Sequence, residues 1–355
     1  PWLKGIANDH FDTLKYADSL LGKLVNNSSV AILGYALSTT VLQPTAVLQA
    51  VNYKYEDAQG KIKKIGVNEI IQGVIDFYKS YGENADLVYS LSPFMMMRTS
   101  NMDFNIRQAM EADTKHPFND RKFRRAAFAM MGFTDKLTTV PVWWTAYNIE
   151  MKESGDLQRA VDFADKVVRN TQASGAAKDL SEMQRGGNVR RAFTMFQTFF
   201  NSTYNEWGKT KDLVQGERVG SLEYAKTFMW ICLLPAMLQA LFRYREDMLE
   251  DPLQKVAKET TAYGFGSIPI FGSFVNALMG KYEFRPTPAV SLPTELIKLT
   301  YSKDVPAFLK HGIAATGYLT GIPSRQMLLT GEYIFDMLEG NETDPLNMIY
   351  KKPKR

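Results

Sequence analysis

RAFTMFQTFFNSTYNEW, residues Arg191–Trp207, carries six aromatic rings in seventeen positions, with Gln197, Asn201 and Asn205 threaded between them. Placed on a helix, Phe193, Phe196, Phe200, Tyr204 and Trp207 step by three, four, four and three residues. That interval keeps side chains on one face, the spacing by which helices pack against each other. Gln197, Asn201 and Asn205 step by four and form a polar stripe beside the seam. A base-stacking platform needs exposed rings next to a basic groove, and the middle of this stretch has no positive charge. The segment therefore predicts a core helix. Its rings would pack, and its amides would hydrogen-bond across to a neighbouring helix or a second copy, fixing register.

Outward from this stretch, helix punctuation dominates. Asp251-Pro252, Asp304-Val-Pro306 and Asp344-Pro345 each place a capping acceptor at or near a proline of a first turn. Asn119-Asp120 does the same ahead of RKFRRAAFAMMGF without proline. Strand alternation is nearly absent; the one candidate is a hairpin over Asn52–Gly66 turning at Gln59-Gly60. The expected fold is all-α, an irregular bundle of about a dozen helices with at most one small β-hairpin. Glycine and charge interrupt the pattern near 152–155 and 214–220. These breaks divide the chain into an N-terminal helical region (1–152), a signature region (153–215) and a C-terminal region (216–355).

The bulk numbers exclude several classes. With 355 residues and 45% hydrophobic content the chain can fill two or three cores and is not disordered. Cys232 is its only cysteine, and His10, His116 and His311 lie far apart, so neither a disulfide framework nor a metal site is expected. Phosphate loops, nucleophile elbows and zinc-protease motifs are missing, and Gly264–Gly272 lacks the lysine of a phosphate cradle. Asp162 and Asp165, followed by Lys166 and Arg169, suit a solvated ion-paired face. No catalytic residue and no cofactor is expected. A net charge of +4 permits contact with nucleic acid or anionic lipid without requiring it. The candidates for phosphate contact are Arg121, Lys122, Arg124 and Arg125, with Arg185, Arg190 and Arg191, in short runs diluted by acids.

Long charge-free stretches are the less ordinary feature. No charge falls between Lys23 and Lys54, between Lys226 and Arg243, or between Glu259 and Lys281. A bilayer span needs about 20 mostly apolar residues; Thr227–Phe242 has sixteen, with Pro235 near its middle. Buried core helices and a conditional membrane hairpin over 227–280 both fit. In the second case Trp230, Ile231, Leu234, Pro235, Phe265, Ile268, Phe271 and Phe274 would meet lipid, with Arg243, Tyr244 and Arg245 at the membrane edge.

Residues 160–207 carry Arg169-Asn-Thr-Gln-Ala-Ser-Gly175, then Gln184-Arg185-Gly186, then the Phe193–Asn205 helix. This run resembles a signature of phage large polyvalent protein-associated domains, and Leu234-Pro235 and Pro323–Gln326 agree with it. The resemblance implies a context near the C-terminal end of a very long phage protein, similar to the internal core or ejection proteins of short-tailed phages. A first residue of Pro1 suits a piece of such a chain. The function it implies is a structural domain packaged inside the capsid and delivered into the host envelope. Its implied partners are core and portal proteins, further copies of itself, packaged DNA and the host membrane. The alternatives are a scaffold domain that never enters the virion, or the C-terminal part of a virion enzyme whose site lies elsewhere.

Overall fold

The computed structural model describes residues 15–37, 40, 43–57, 59–98, 109–110, 121–172, 187–188, 191, 197–245, 248–266, 288–341 and 344–348. The fold is all-α with one two-stranded hairpin among the described residues. In chain order the elements are α1 (Lys15–Leu33), α2 (Val47–Val51), β1 (Lys54–Glu56), β2 (Ile62–Lys64), α3 (Val67–Lys79), α4 (Tyr81–Leu91) and α5 (Pro93–Arg98). Then come α6 (Arg121–Ser154), α7 (Leu157–Thr171), α8 (Gln197–Gln215) and α9 (Leu222–Phe228). A π-turn (Met229–Leu233) joins α9 to α10 (Leu234–Arg243). The last are α11 (Pro252–Gly266), α12 (Pro288–Thr300), α13 (Val305–Thr320) and α14 (Ser324–Leu338).

The hairpin turns as its sequence predicts. Gly60 takes φ 77°, and the Asp57 carboxylate accepts from the backbone N–H groups of Gln59 and Lys61 at 3.0 and 2.9 Å. β1 and β2 run antiparallel with Tyr55 opposite Lys63.

The 34-residue α6 is the axis of the main core. It ends at Gly155, whose φ of 66° L-residues rarely adopt, and the chain returns as α7 along its flank. Asp156 caps α7 by accepting from the Arg159 N–H at 3.0 Å. The turn at 152–155, expected to separate two regions, instead joins two halves of one core, in which Val142, Trp143 and Ala146 pack with Ala160, Ala164 and Val168.

Pro141 stands inside α6, where its missing N–H frees the Leu137 carbonyl. The Tyr78 hydroxyl of α3 donates to that carbonyl at 2.7 Å, so the neighbouring helix repairs the break. The same two helices approach closely at Gly73, where a methyl group would run into the Thr145 side chain.

Two polar nodes sit in this core. Asp165 accepts from Trp143 Nε1 at 2.8 Å and from Ser92 Oγ at 2.6 Å, with Arg169 at 3.5 Å. Of the solvated face expected here, Asp162 and Lys166 are exposed, Arg169 is half-buried and Asp165 is buried. Its second oxygen faces Arg169 while the first serves the indole, so the charge is compensated at depth. Arg98 and Asp135, both buried, form a bidentate pair at 3.0 and 3.2 Å.

The C-terminal helices make a second layer in which α13 packs on α1 and α12. Asp304 caps α13, accepting from the Ala307 N–H at 2.7 Å, and Gly321 closes it at φ 78°. His311 Nδ1 lies 2.7 Å from Glu295 Oε2 between α12 and α13.

Candidate functional site

The aromatic seam meets the structure halfway. Phe193 and Phe196 lie outside the described residues, as do the side chains of Gln197, Phe200 and Asn201. Tyr204 is 63% exposed and Asn205 is exposed, so neither packs within the chain. Trp207 does pack, edge-on against Tyr224 and Phe228 at centroid distances of 5.2 and 5.6 Å, and its indole N–H donates to the Tyr224 hydroxyl.

The buried face of α8 is instead Thr203, Glu206, Thr210 and Leu213, stepping by three, four and three. The physical reason is what lies opposite. Residues 49–54 bring Gln49, Asn52 and Lys54 inward, each at most 3% exposed. Buried polar groups need partners, so the helix turns its hydroxyls in and its tyrosine out.

The resulting cluster is built from side chain to side chain. Gln49 Nε2 donates to Thr203 Oγ1 at 3.1 Å. Lys54 Nζ donates to Thr210 Oγ1 at 3.2 Å and to Thr227 Oγ1 at 2.7 Å, and Asn52 Nδ2 donates to Thr227 Oγ1 at 2.8 Å. Lys209 donates to the Lys54 carbonyl and lies 4.3 Å from the centroid of the Tyr53 ring, whose hydroxyl accepts from Asn170 at 2.9 Å.

Glu206, 6% exposed, accepts from the Lys54 backbone N–H, while its Oε1 has no hydrogen-bond partner. Burial drives each titratable group toward neutrality. The Lys54 ammonium is pushed down to about 8, against the pull of Glu206 and Glu223. Burial raises the Glu206 carboxyl, lowers Lys209 and pushes the Tyr53 phenol up to about 12. A groove of about 440 Å³ adjoins the cluster, lined by Lys54, Lys63 and Lys64 with Glu69, Glu153 and Glu223. Its charges are balanced, and Lys63 pairs with Glu153 at 2.9 Å, so it has no preference for anions.

Thr227 belongs to the second half of the site. α9, the π-turn and α10 form one 22-residue helix, Leu222–Arg243. Among the described residues it is the one helix long and apolar enough to cross a membrane, by length and composition. At 1.5 Å per residue it spans roughly 33 Å, against a hydrocarbon core of about 30 Å. Five residues N-terminal to the expected Thr227–Phe242 join it, and Pro235 does not break it. The π-turn just ahead of Pro235 accommodates the missing donor and the ring.

Only about a third of the most apolar window of this helix is buried. Thr227, Ile231, Cys232, Pro235, Ala236 and Ala240 face the body, Trp230 and Leu234 are half-buried, and Leu222, Met237 and Leu241 are exposed. α11 packs beside it, with Cys232 Sγ donating to the Thr260 carbonyl at 3.7 Å. The basic residues at its C-terminal end are committed: Arg243 faces Glu259 at 3.8 Å, and Arg245 binds Asp344 and Asn347 at 2.6 Å each. Of the expected second arm, the Phe265 side chain, Ile268, Phe271 and Phe274 lie outside the described residues.

The basic runs divide. Arg124 is fully buried and donates to the Ala109 carbonyl at 3.0 Å and to Asn27, so it is withdrawn from any phosphate. Arg191 is also buried, donating to Asn188 at 2.7 Å and to Asn26 of α1 at 3.1 Å. Both arginines staple α1 to the body. Arg121, Lys122 and Arg125 are exposed at the N-terminus of α6, where the helix dipole adds to their positive field. Arg185 and Arg190 lie outside the described residues.

No cluster of metal-ligating side chains occurs among the described residues. No protein family, curated protein or solved structure matches the chain. Lys54, Glu206 and Thr227 were not singled out in the sequence. The one signal pointing to them is the hydroxyl and carboxyl spacing of Thr203, Glu206 and Thr210, which the aromatic pattern beside it masks.

Proposed function

We propose that the chain is a structural domain of a phage internal virion protein, held in the capsid interior and delivered into the host envelope as the genome is ejected. The observation that carries this reading is the Leu222–Arg243 helix, long enough for a bilayer, with only about a third of its most apolar window buried, and tethered at both ends by polar contacts. Such a segment is stored in a folded body and meets lipid after a rearrangement. The resemblance of residues 160–207 to phage polyvalent protein-associated domains supports the same context. Core and portal proteins and further copies of the chain are its partners in the particle. Packaged DNA meets Arg121, Lys122 and Arg125.

A scaffold role outside the virion is the second reading, favoured by α13. That helix turns Val305, Phe308, Leu309 and Leu319 outward while burying Ala314, Ala315 and Gly317, an apolar face of the kind that protein partners cover.

Co-flotation with anionic and neutral liposomes, with leakage of an entrapped dye, tests the first reading. The chain is expected to float and to release dye. Met237→Asp with Leu241→Asp, on the exposed side of the helix, is expected to abolish both while leaving helical circular dichroism intact. Vesicles untouched by the intact chain would favour the scaffold, and mass spectrometry of purified particles then decides whether the chain is packaged.

A further inference from the structure

At the end of the apolar helix that enters the buried cluster, beside the Trp207 contacts to Tyr224 and Phe228, one buried hydroxyl gathers the hydrogen bonds. Thr227 Oγ1 donates to the Glu223 carbonyl at 2.8 Å and accepts from Asn52 and Lys54. A hydroxyl has one proton and two lone pairs, so Thr227 is fully used. Thr210 commits its proton to the Glu206 carbonyl at 3.0 Å and accepts from Lys54. The next element along the chain is the π-turn Met229–Leu233, the kind of local irregularity at which helices bend. Before the helix, Gly216 and Gly220 flank Glu217, which adopts φ 55°.

We propose that Asn52 and Lys54, closing on Thr227 with Thr210 joined to them through Lys54, form a polar latch that stores the apolar helix in the folded body, and that opening this latch releases the helix. The electrostatics suit a catch more than a permanent cement. Closed, the cluster holds Lys54 and Glu206 away from water and Lys209 partly so, with Glu206 Oε1 unsatisfied. Opened, all three regain hydration, which offsets part of the loss of apolar contact. A helix held by apolar packing alone would gain nothing of this kind on release. The envelope role concerns what the helix meets after release; the latch itself concerns only how it is held.

Cys232, the only cysteine, lies buried five residues beyond Thr227 and reports opening directly. The experiment is the labelling rate of Cys232 by a chromogenic disulfide reagent in the intact chain, in Thr227→Val and in Thr227→Ser. Valine keeps the shape, removes the acceptor of Asn52 and leaves Lys54 with Thr210 alone; serine keeps the hydroxyl. Loss of hydrogen bonds to a buried charge predicts labelling roughly ten- to a hundred-fold faster in Thr227→Val. Thr227→Ser is expected to stay near the intact rate, and hydrogen exchange is expected to quicken in 222–243 but not in α6 and α7.

Equal rates in the intact chain and Thr227→Val would overturn the latch. So would exchange that quickens uniformly, because valine would then have destabilised the whole fold. Faster labelling in Thr227→Val with vesicles left untouched keeps the latch and removes the envelope role. Vesicle binding with labelling unchanged does the reverse.

Discussion

At the scale of single residues, the chain is held by buried polar groups that each answer a specific neighbour. Arg98 and Asp135 are buried together, and Thr139 adds a hydrogen bond at 3.3 Å to the same carboxylate. Arg98→Ala leaves that carboxylate without its cation and is expected to cost about 3–5 kcal/mol in chemical denaturation. Replacing both partners by apolar residues of similar volume is expected to recover most of the loss.

Lys54 makes the clearest prediction about pH. Its ammonium falls from an ordinary 10.5 to about 8, so between those values the unfolded chain holds more of this proton than the folded one. Stability then rises as pH rises through that window, and the penalty for burying the charge is complete below pH 8. Measured against Lys54→Met, the intact chain is expected to gain on the order of 1–3 kcal/mol of relative stability between pH 8 and 10.5. A difference between the two chains that stays flat with pH would mean that Lys54 titrates as in water.

At the scale of elements, close approach outranks propensity. Gly73 lies inside α3, where alanine would gain about 1 kcal/mol from helix propensity alone. The Thr145 side chain occupies the space that methyl would take, and overpacking costs about 1–3 kcal/mol. Gly73→Ala is therefore expected to lower the denaturation midpoint, and Thr145→Ala in the same chain to restore it. Proline is handled similarly. Pro141 is tolerated because Tyr78 serves the carbonyl that it frees, and Pro235 because a π-turn precedes it. Neither compensation is visible in the few residues around the proline. One comes from a helix sixty residues away, and the other from a backbone choice that no side chain announces.

At the scale of the whole molecule, large apolar side chains among the described residues stand in solvent on several helices, two of which bear on function. The Leu222–Arg243 helix and the outer side of α13 keep large side chains in solvent. A domain that folded only for itself would have little use for either. Vesicle association is accordingly expected to depend on Met237 and Leu241 but not on Tyr204, whose ring is exposed on the separate helix α8. Tyr204→Ala is expected to leave flotation and the denaturation midpoint unchanged within error.

Much of the architecture was determined by sequence alone, because its causes are local. The all-α class follows from helical spacing and proline-marked helix starts, and the hairpin within 52–66 from its Gln59-Gly60 turn. The cap at Asp304 and the apolar character of 227–242 are equally local. Tertiary structure decided which face each helix turns inward, since that depends on a partner distant in the chain. The spacing of Tyr204 and Trp207 places both on one stripe of α8. Yet Gln49, Asn52 and Lys54, some 150 residues earlier, needed polar partners more than the rings needed a core. Arg124, Arg191 and Asp165 went inside for the same reason, each meeting a buried donor or acceptor that spacing does not encode. Periodicity gives the shape of a helix, but the free energy of an unmet buried polar group decides how that helix is turned.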